Sequence, residues 1–165
     1  MGQTQIIASY PCLGKTTLAK LNRTHLFERD FKEMRTTENM TIEDKITFFN
    51  ACTQIIITQQ RTNVYDYLLI SDDERILSKL AEYSIKPILV FPNPYDSKYL
   101  EYYINTVKQR YGKESYEKIM SEKIANLTQR VGFYTKQGYD IRLTDTTKPY
   151  IENVVEMPNY IITPW

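Results

Sequence analysis

Ser9-Tyr10-Pro11-Cys12-Leu13-Gly14-Lys15-Thr16 carries residue types that phosphate chemistry uses, at the spacing it uses them. With Ser9 in place of the first glycine, the stretch fits the phosphate-binding pattern G-x-x-x-x-G-K-[ST]. In such a loop, backbone N–H groups and the start of the following helix face a phosphate, and the helix dipole favours the same negative charge. Gly14 lets the backbone curl without a side chain in the way. Lys15 offers a point charge to the β- and γ-phosphates, and the Thr16 hydroxyl suits Mg²⁺. Pro11, Cys12, Leu13 and Thr17 complete the expected cradle. A plain strand-to-helix turn with an exposed lysine is the competing reading.

Other candidates are softer. Asp72 and Asp73 end a predicted strand, where either a Mg²⁺-linked acid or a helix N-cap belongs. Glu28 and Asp30 follow a predicted second strand and read as acids facing a phosphate acceptor or as solvated carboxylates. Arg110, Arg130 and Arg61 are candidate clamps over a transferring phosphoryl group, with an ordinary surface role open for each. His25, the only histidine, reads as a partly exposed strand residue. Cys12 and Cys52 make no disulfide framework, and no Cys-x-x-Cys pair exists. Zinc sites built on several His or Cys ligands are excluded, and a Ser-His or Cys-His machine would have to use His25.

The elements that must position these residues follow from hydrophobic spacing. A buried strand is expected at 5–9 and a helix from 18. A short strand at 25–28 precedes a helix over 41–60, which Thr41 and Asp44 mark as a helix start. A strand at 64–70, a helix at 74–83 and a strand at 85–91 follow. Helices at 96–111 and 114–136, a strand at 139–143 and a helix at 150–156 complete the body. A proline-punctuated tail, 157–165, is expected to run extended over the surface. Strands that are continuous apolar runs, alternating with helices, predict an α/β domain with a five-stranded, mostly parallel sheet and helices on both faces. The two successive helices within 96–136 break the alternation and read as a helical lid on a single domain spanning 1–165.

Composition narrows the function classes. With 42% hydrophobic and 25% charged residues, the 165-residue chain is expected to fold around its own core. Lys and Arg number 21 against 20 Asp and Glu, a net charge of +1, which leaves no basic pull toward nucleic acid. No apolar run approaches membrane length and the N-terminus lacks a secretory pattern, so a cytoplasmic protein is expected. Fourteen tyrosines against one tryptophan read as a half-buried helical surface. The tryptophan, Trp165, suits a partner interface or a groove on its own domain.

Loop 10–16, the runs 67–80 and 85–92, and Arg110-Tyr111 together resemble a group of small P-loop proteins of phages and bacteria, described as adenylate-kinase-like or nucleoside-monophosphate-kinase-like. Two departures stand out: Cys12 where that group commonly has glycine, and Asp72-Asp73 where a Ser-His pair is common. The resemblance implies a P-loop NTPase fold, ATP and Mg²⁺ as cofactors, a nucleotide or other small molecule as phosphate acceptor, and residence in the host cytoplasm if phage-encoded. The chemistry of the loop and its surroundings, read from the residues themselves, puts forward Lys15, Arg110 and Arg130 for catalysis and Thr16 and Asp72 for the metal. A kinase is the leading expectation. A nucleotide-binding or regulatory accessory protein that contacts a protein partner is the alternative.

Overall fold

The apolar runs Ile6-Ile7-Ala8, Leu68-Leu69-Ile70 and Leu89-Val90-Phe91 are buried at every position. Successive strand residues face opposite sides, so unbroken burial requires both faces of the sheet to be covered. The computed structural model describes residues 3–29 and 39–157. Its elements are β1 (Gln5–Ser9), α1 (Lys15–Leu21), β2 (Leu26–Arg29), α2 (Ile42–Thr62), β3 (Tyr67–Ser71), α3 (Glu74–Glu82) and β4 (Ile88–Pro92). Then come α4 (Ser97–Tyr111), α5 (Lys113–Ser115), a π-helical turn (Tyr116–Met120), α6 (Ser121–Ala125), α7 (Leu127–Lys136), β5 (Ile141–Thr144) and α8 (Ile151–Val154).

The five strands lie in the order β2-β3-β1-β4-β5 and every pairing is parallel. The expected α/β class is present, with a sheet wholly rather than mostly parallel. β1 and β4 are neighbours, yet the chain leaves β1 toward one edge of the sheet and β4 toward the other. The carboxyl ends of strands that diverge in this way leave a crevice where ligands bind in open parallel sheets.

Several boundaries move for local reasons. The third strand starts at Tyr67 rather than 64, because Asn63 ends α2 in the left-handed conformation and the chain turns before pairing. The fourth starts at Ile88, one residue after Pro87, which has no N–H to give to a ladder. β5 begins at Ile141, after Asp140 has accepted a bond from Leu89, and the last helix covers only Ile151–Val154. Thr41 caps α2 as expected, accepting from the Asp44 N–H at 3.1 Å. The first turns of α2 remain outside the core, with Ile42 80% and Ile46 51% exposed, and burial begins at Phe49.

The segment read as a lid is broken twice but packed on the core. The helix at 114–136 is interrupted by the π-helical turn and again at Asn126, but its apolar stripe survives both breaks. Tyr116, Met120, Ile124, Leu127, Val131 and Tyr134 all enter the same core as the sheet, as do Tyr99, Tyr103 and Val107 of α4. The segment is therefore packed onto the domain, not set off from it. Among the described residues no helix is long and apolar enough to cross a membrane. Asp30, Trp165 and the tail beyond Met157 lie outside the described residues.

Candidate functional site

The loop between β1 and α1 is built by backbone geometry first. Tyr10 N–H continues the β1 ladder by donating to Val90 O at 3.0 Å, after which the chain turns. Cys12 and Gly14 both take left-handed dihedrals, φ 64° and 88°. Glycine adopts that region freely, whereas an L side chain there costs about 1–2 kcal/mol. Gly14 also lies against Tyr150: a Cβ added at Gly14 would sit 3.4 Å from the Tyr150 ring. α1 then starts at Lys15 with no side-chain cap.

Four helices hold the loop from outside. Tyr103 of α4 donates its hydroxyl to Pro11 O at 2.8 Å, and Ile151 N–H at the start of α8 donates to Leu13 O at 3.2 Å. Tyr10 is fully buried, edge-on to Phe91, and its hydroxyl donates to Lys123 O at 3.1 Å while accepting from Arg130 Nη1 at 3.3 Å. Burial, helped by the nearby Asp72 carboxylate, pushes the Tyr10 phenol up to about 12, so it remains a donor at neutral pH. Burial also raises the Tyr103 phenol well above its ordinary value.

Glu28 is the acid that meets the loop. It lies inside β2, one strand beyond β1's neighbour β3, and only 18% of its side chain is exposed. Thr16 Oγ1 donates to Glu28 Oε2 at 2.8 Å, and Lys15 Nζ lies 3.5 Å from the same oxygen. Lys15 is thus mostly covered and paired, in contrast to the exposed lysine of a plain turn.

Asp72 does not cap α3; Asp73 does, accepting from the Arg75 and Ile76 N–H groups. Burial pushes the Asp73 carboxyl up, but the hydrogen bonds and charge of Arg75, together with the Ile76 N–H, outweigh it and hold the carboxyl below its ordinary range. Asp72, 1% exposed, instead pairs Oδ1 with Lys123 Nζ at 2.6 Å and Oδ2 with Arg130 Nη1 at 2.7 Å. Glu74 Oε1 completes the cluster, 2.9 Å from Arg130 Nε. Burial opposes the Arg130 cation, but Asp72 and Tyr10 outweigh it and raise its pKa.

A cleft of about 540 Å³, which Glu28 does not itself line, opens at the carboxyl end of β1, within the range of small-molecule sites. Pro11, Cys12, Gly14, Lys15, Thr16 and Thr17 line it, together with Asp72 and Arg110, so most of the expected residues converge. Leu13 does not line it; its side chain is buried in the core. Arg130 does not line it either, and acts on the cleft through Asp72. Arg110 approaches Cys12, with Nη1 4.0 Å from Sγ, yet burial dominates and the thiol is raised. Arg61 lies in the last turn of α2, away from the lining, and His25 is exposed and paired with Asp66 at 3.1 Å.

No family model, curated protein or solved structure matches this chain. The site therefore stands on its own geometry.

Lys123, Tyr103 and Tyr150 were not foreseen. A mid-helix lysine carries no sequence signal, and the tyrosine excess pointed only to helix surfaces. A second cavity of about 560 Å³ lies between α3 and α7, lined partly by Phe133, Tyr134 and Tyr139, and contains no loop residue.

Proposed function

We propose that the chain is a P-loop protein that binds ATP with Mg²⁺ and transfers a phosphoryl group to a nucleotide or another small acceptor. The observation that carries the reading is that Lys15 and Thr16 both line the cleft beside the loop and both engage one carboxylate, Glu28, just behind it. The near-match of Ser9–Thr16 to the phosphate-loop pattern supports it, as does the cleft's position at the carboxyl end of a central parallel strand.

On this reading the loop and the first turn of α1 hold the donor phosphates, and Lys15 exchanges Glu28 for them. Thr16 and Glu28 offer hard oxygen donors, the kind Mg²⁺ takes alongside substrate phosphates. They fit the ion better than Asp72, which already has two cationic partners. Bound there, Mg²⁺ would neutralise charge on the β- and γ-phosphates. Arg110 from α4 and Lys123 from α6 bring positive charge to the same cleft. Arg130 is a positioning residue that holds Asp72 and Tyr10.

A second reading is a nucleotide-binding or regulatory module without turnover, acting on a protein partner. One observation favours it: the carboxylates of the site already pair with its cations, Glu28 with Lys15 and Asp72 with Lys123 and Arg130. The experiment that tests both is ATP consumption with Mg²⁺ across a panel of nucleoside monophosphates, run beside thermal unfolding. Turnover with one acceptor, lost in Lys15→Ala, supports the kinase. A rise in melting temperature without turnover supports the binding module. No shift at millimolar nucleotide sinks both.

A further inference from the structure

Ser9 ends β1 at the position where the phosphate-loop pattern has glycine. It is 1% exposed, it lines the cleft, and its Oγ has no hydrogen-bond partner among the described residues. A buried hydroxyl without a partner costs stability, and a ligand is one reason for a chain to keep one. Among the described residues lining the cleft, no other buried side-chain nitrogen or oxygen is left in this state.

Register supplies the direction. Ser9 is paired with Ser71 on β3, and neighbours in a parallel ladder carry their side chains on the same side of the sheet. Ser71 is half-buried and lines the same cleft. Two hydroxyls therefore stand side by side at adjacent strand ends, next to the loop that carries Lys15.

We infer that Ser9 is a ligand-contacting residue whose hydroxyl donates to an oxygen of the phosphate chain, with Ser71 beside it as a second donor. This rests on the phosphate-binding reading of the cleft. Glycine at this position offers no side-chain donor, so the serine adds a contact that the pattern itself lacks. A hydroxyl facing an ionised oxygen makes a short, charge-assisted bond. The same group is thus a liability in the free protein and an asset in the complex. A structural hydroxyl behaves the opposite way, stabilising the free protein and leaving affinity alone.

Titration calorimetry of the wild type, Ser9→Ala and Ser9→Gly with Mg-ATP and with inorganic tripolyphosphate, plus thermal unfolding without ligand, tests the assignment. Ser9→Ala is expected to melt no lower than the wild type and to bind both ligands about tenfold more weakly, the effect of one hydrogen bond to a charged group. Ser9→Gly is expected to lose affinity for both ligands as well. Unchanged affinity in Ser9→Ala, with or without a lower melting temperature, overturns the contact. So does tighter binding by Ser9→Gly, which would make the serine a steric compromise. A loss with ATP but not tripolyphosphate places the contact off the phosphate chain and also overturns it. If the wild type binds neither ligand, the phosphate-binding reading itself fails; if it binds and Ser9→Ala matches it, only this inference fails.

Discussion

Asp72 Oδ2 lies 2.7 Å from Arg130 Nη1, and Nη2 of the same arginine donates to the Asp72 carbonyl oxygen at 3.0 Å. The arginine therefore grips both the side chain and the backbone at the end of β3, from α7 more than fifty residues away in sequence. Lys123 of α6 takes the other carboxylate oxygen. Asp72 is 1% exposed and Arg130 is largely covered, so water cannot replace either partner unless the helices move. Removing one partner of a buried pair leaves the other charge uncompensated, at about 3–5 kcal/mol. Asp72→Ala is expected to lose that much in urea unfolding, and Arg130→Met a comparable amount. A loss below about 1 kcal/mol would class the pair with surface ion pairs.

On the phosphate-binding reading, Glu28 and a bound phosphate would compete for Lys15. Glu28→Gln removes the charge but keeps a hydrogen-bond acceptor for Thr16. We expect Glu28→Gln to bind metal-free tripolyphosphate more tightly than the wild type, because Lys15 no longer has an internal carboxylate to give up. Stimulation of binding by Mg²⁺ should fall in the same variant, since a hard anionic donor is gone. Calorimetry with and without Mg²⁺ reads both effects, and a variant identical to wild type in both would remove Glu28 from the site.

Gly14→Ala tests the loop itself. At φ 88° an added Cβ is strained by about 1–2 kcal/mol, and it also reaches the Tyr150 ring at 3.4 Å. The variant is expected to unfold at lower urea by roughly that amount. Its loss of nucleotide binding should exceed the loss of stability, because the chain must re-route between Leu13 and Lys15. Normal binding in a destabilised Gly14→Ala would show that the loop's curvature does not matter to the ligand.

Glu152 gives a pH dependence. It is buried on α8, its Oε2 has no partner among the described residues, and burial raises its carboxyl above the ordinary value of 4.5. A raised carboxyl binds its proton more tightly in the folded protein than in the unfolded chain. It therefore costs nothing below about pH 4.5 and lowers stability as pH rises through the folded value. Glu152→Gln should gain melting temperature relative to wild type on going from pH 4.5 to neutrality. An identical difference at both ends would mean that the carboxyl titrates normally. Ile151, next in the chain, donates to Leu13 O, so the effect is seated at the loop's support.

The α/β class, the five strands and the loop at the end of β1 were legible in the sequence, because each rests on local regularities. Unbroken apolar runs bounded by turn residues, helical spacing, and Gly14 ahead of Lys15 and Thr16 all act over a few residues. Boundaries slipped where a single backbone property intervened, as at Pro87 and Asn63. What the sequence alone did not determine was which charges meet. Glu28 reads as an acceptor-facing acid or a solvated carboxylate because nothing near it in the chain covers it; the strand order carries it to Lys15. Asp72 reads as a cap or a metal acid, and Arg130 as a clamp or an ordinary surface arginine; the packing of α6 and α7 joins them. The stripe of 116–134 was visible, but whether it closed on the sheet depended on core contacts from distant segments. Those pairings are long-range, and a side chain's partner is decided by the fold that brings it there.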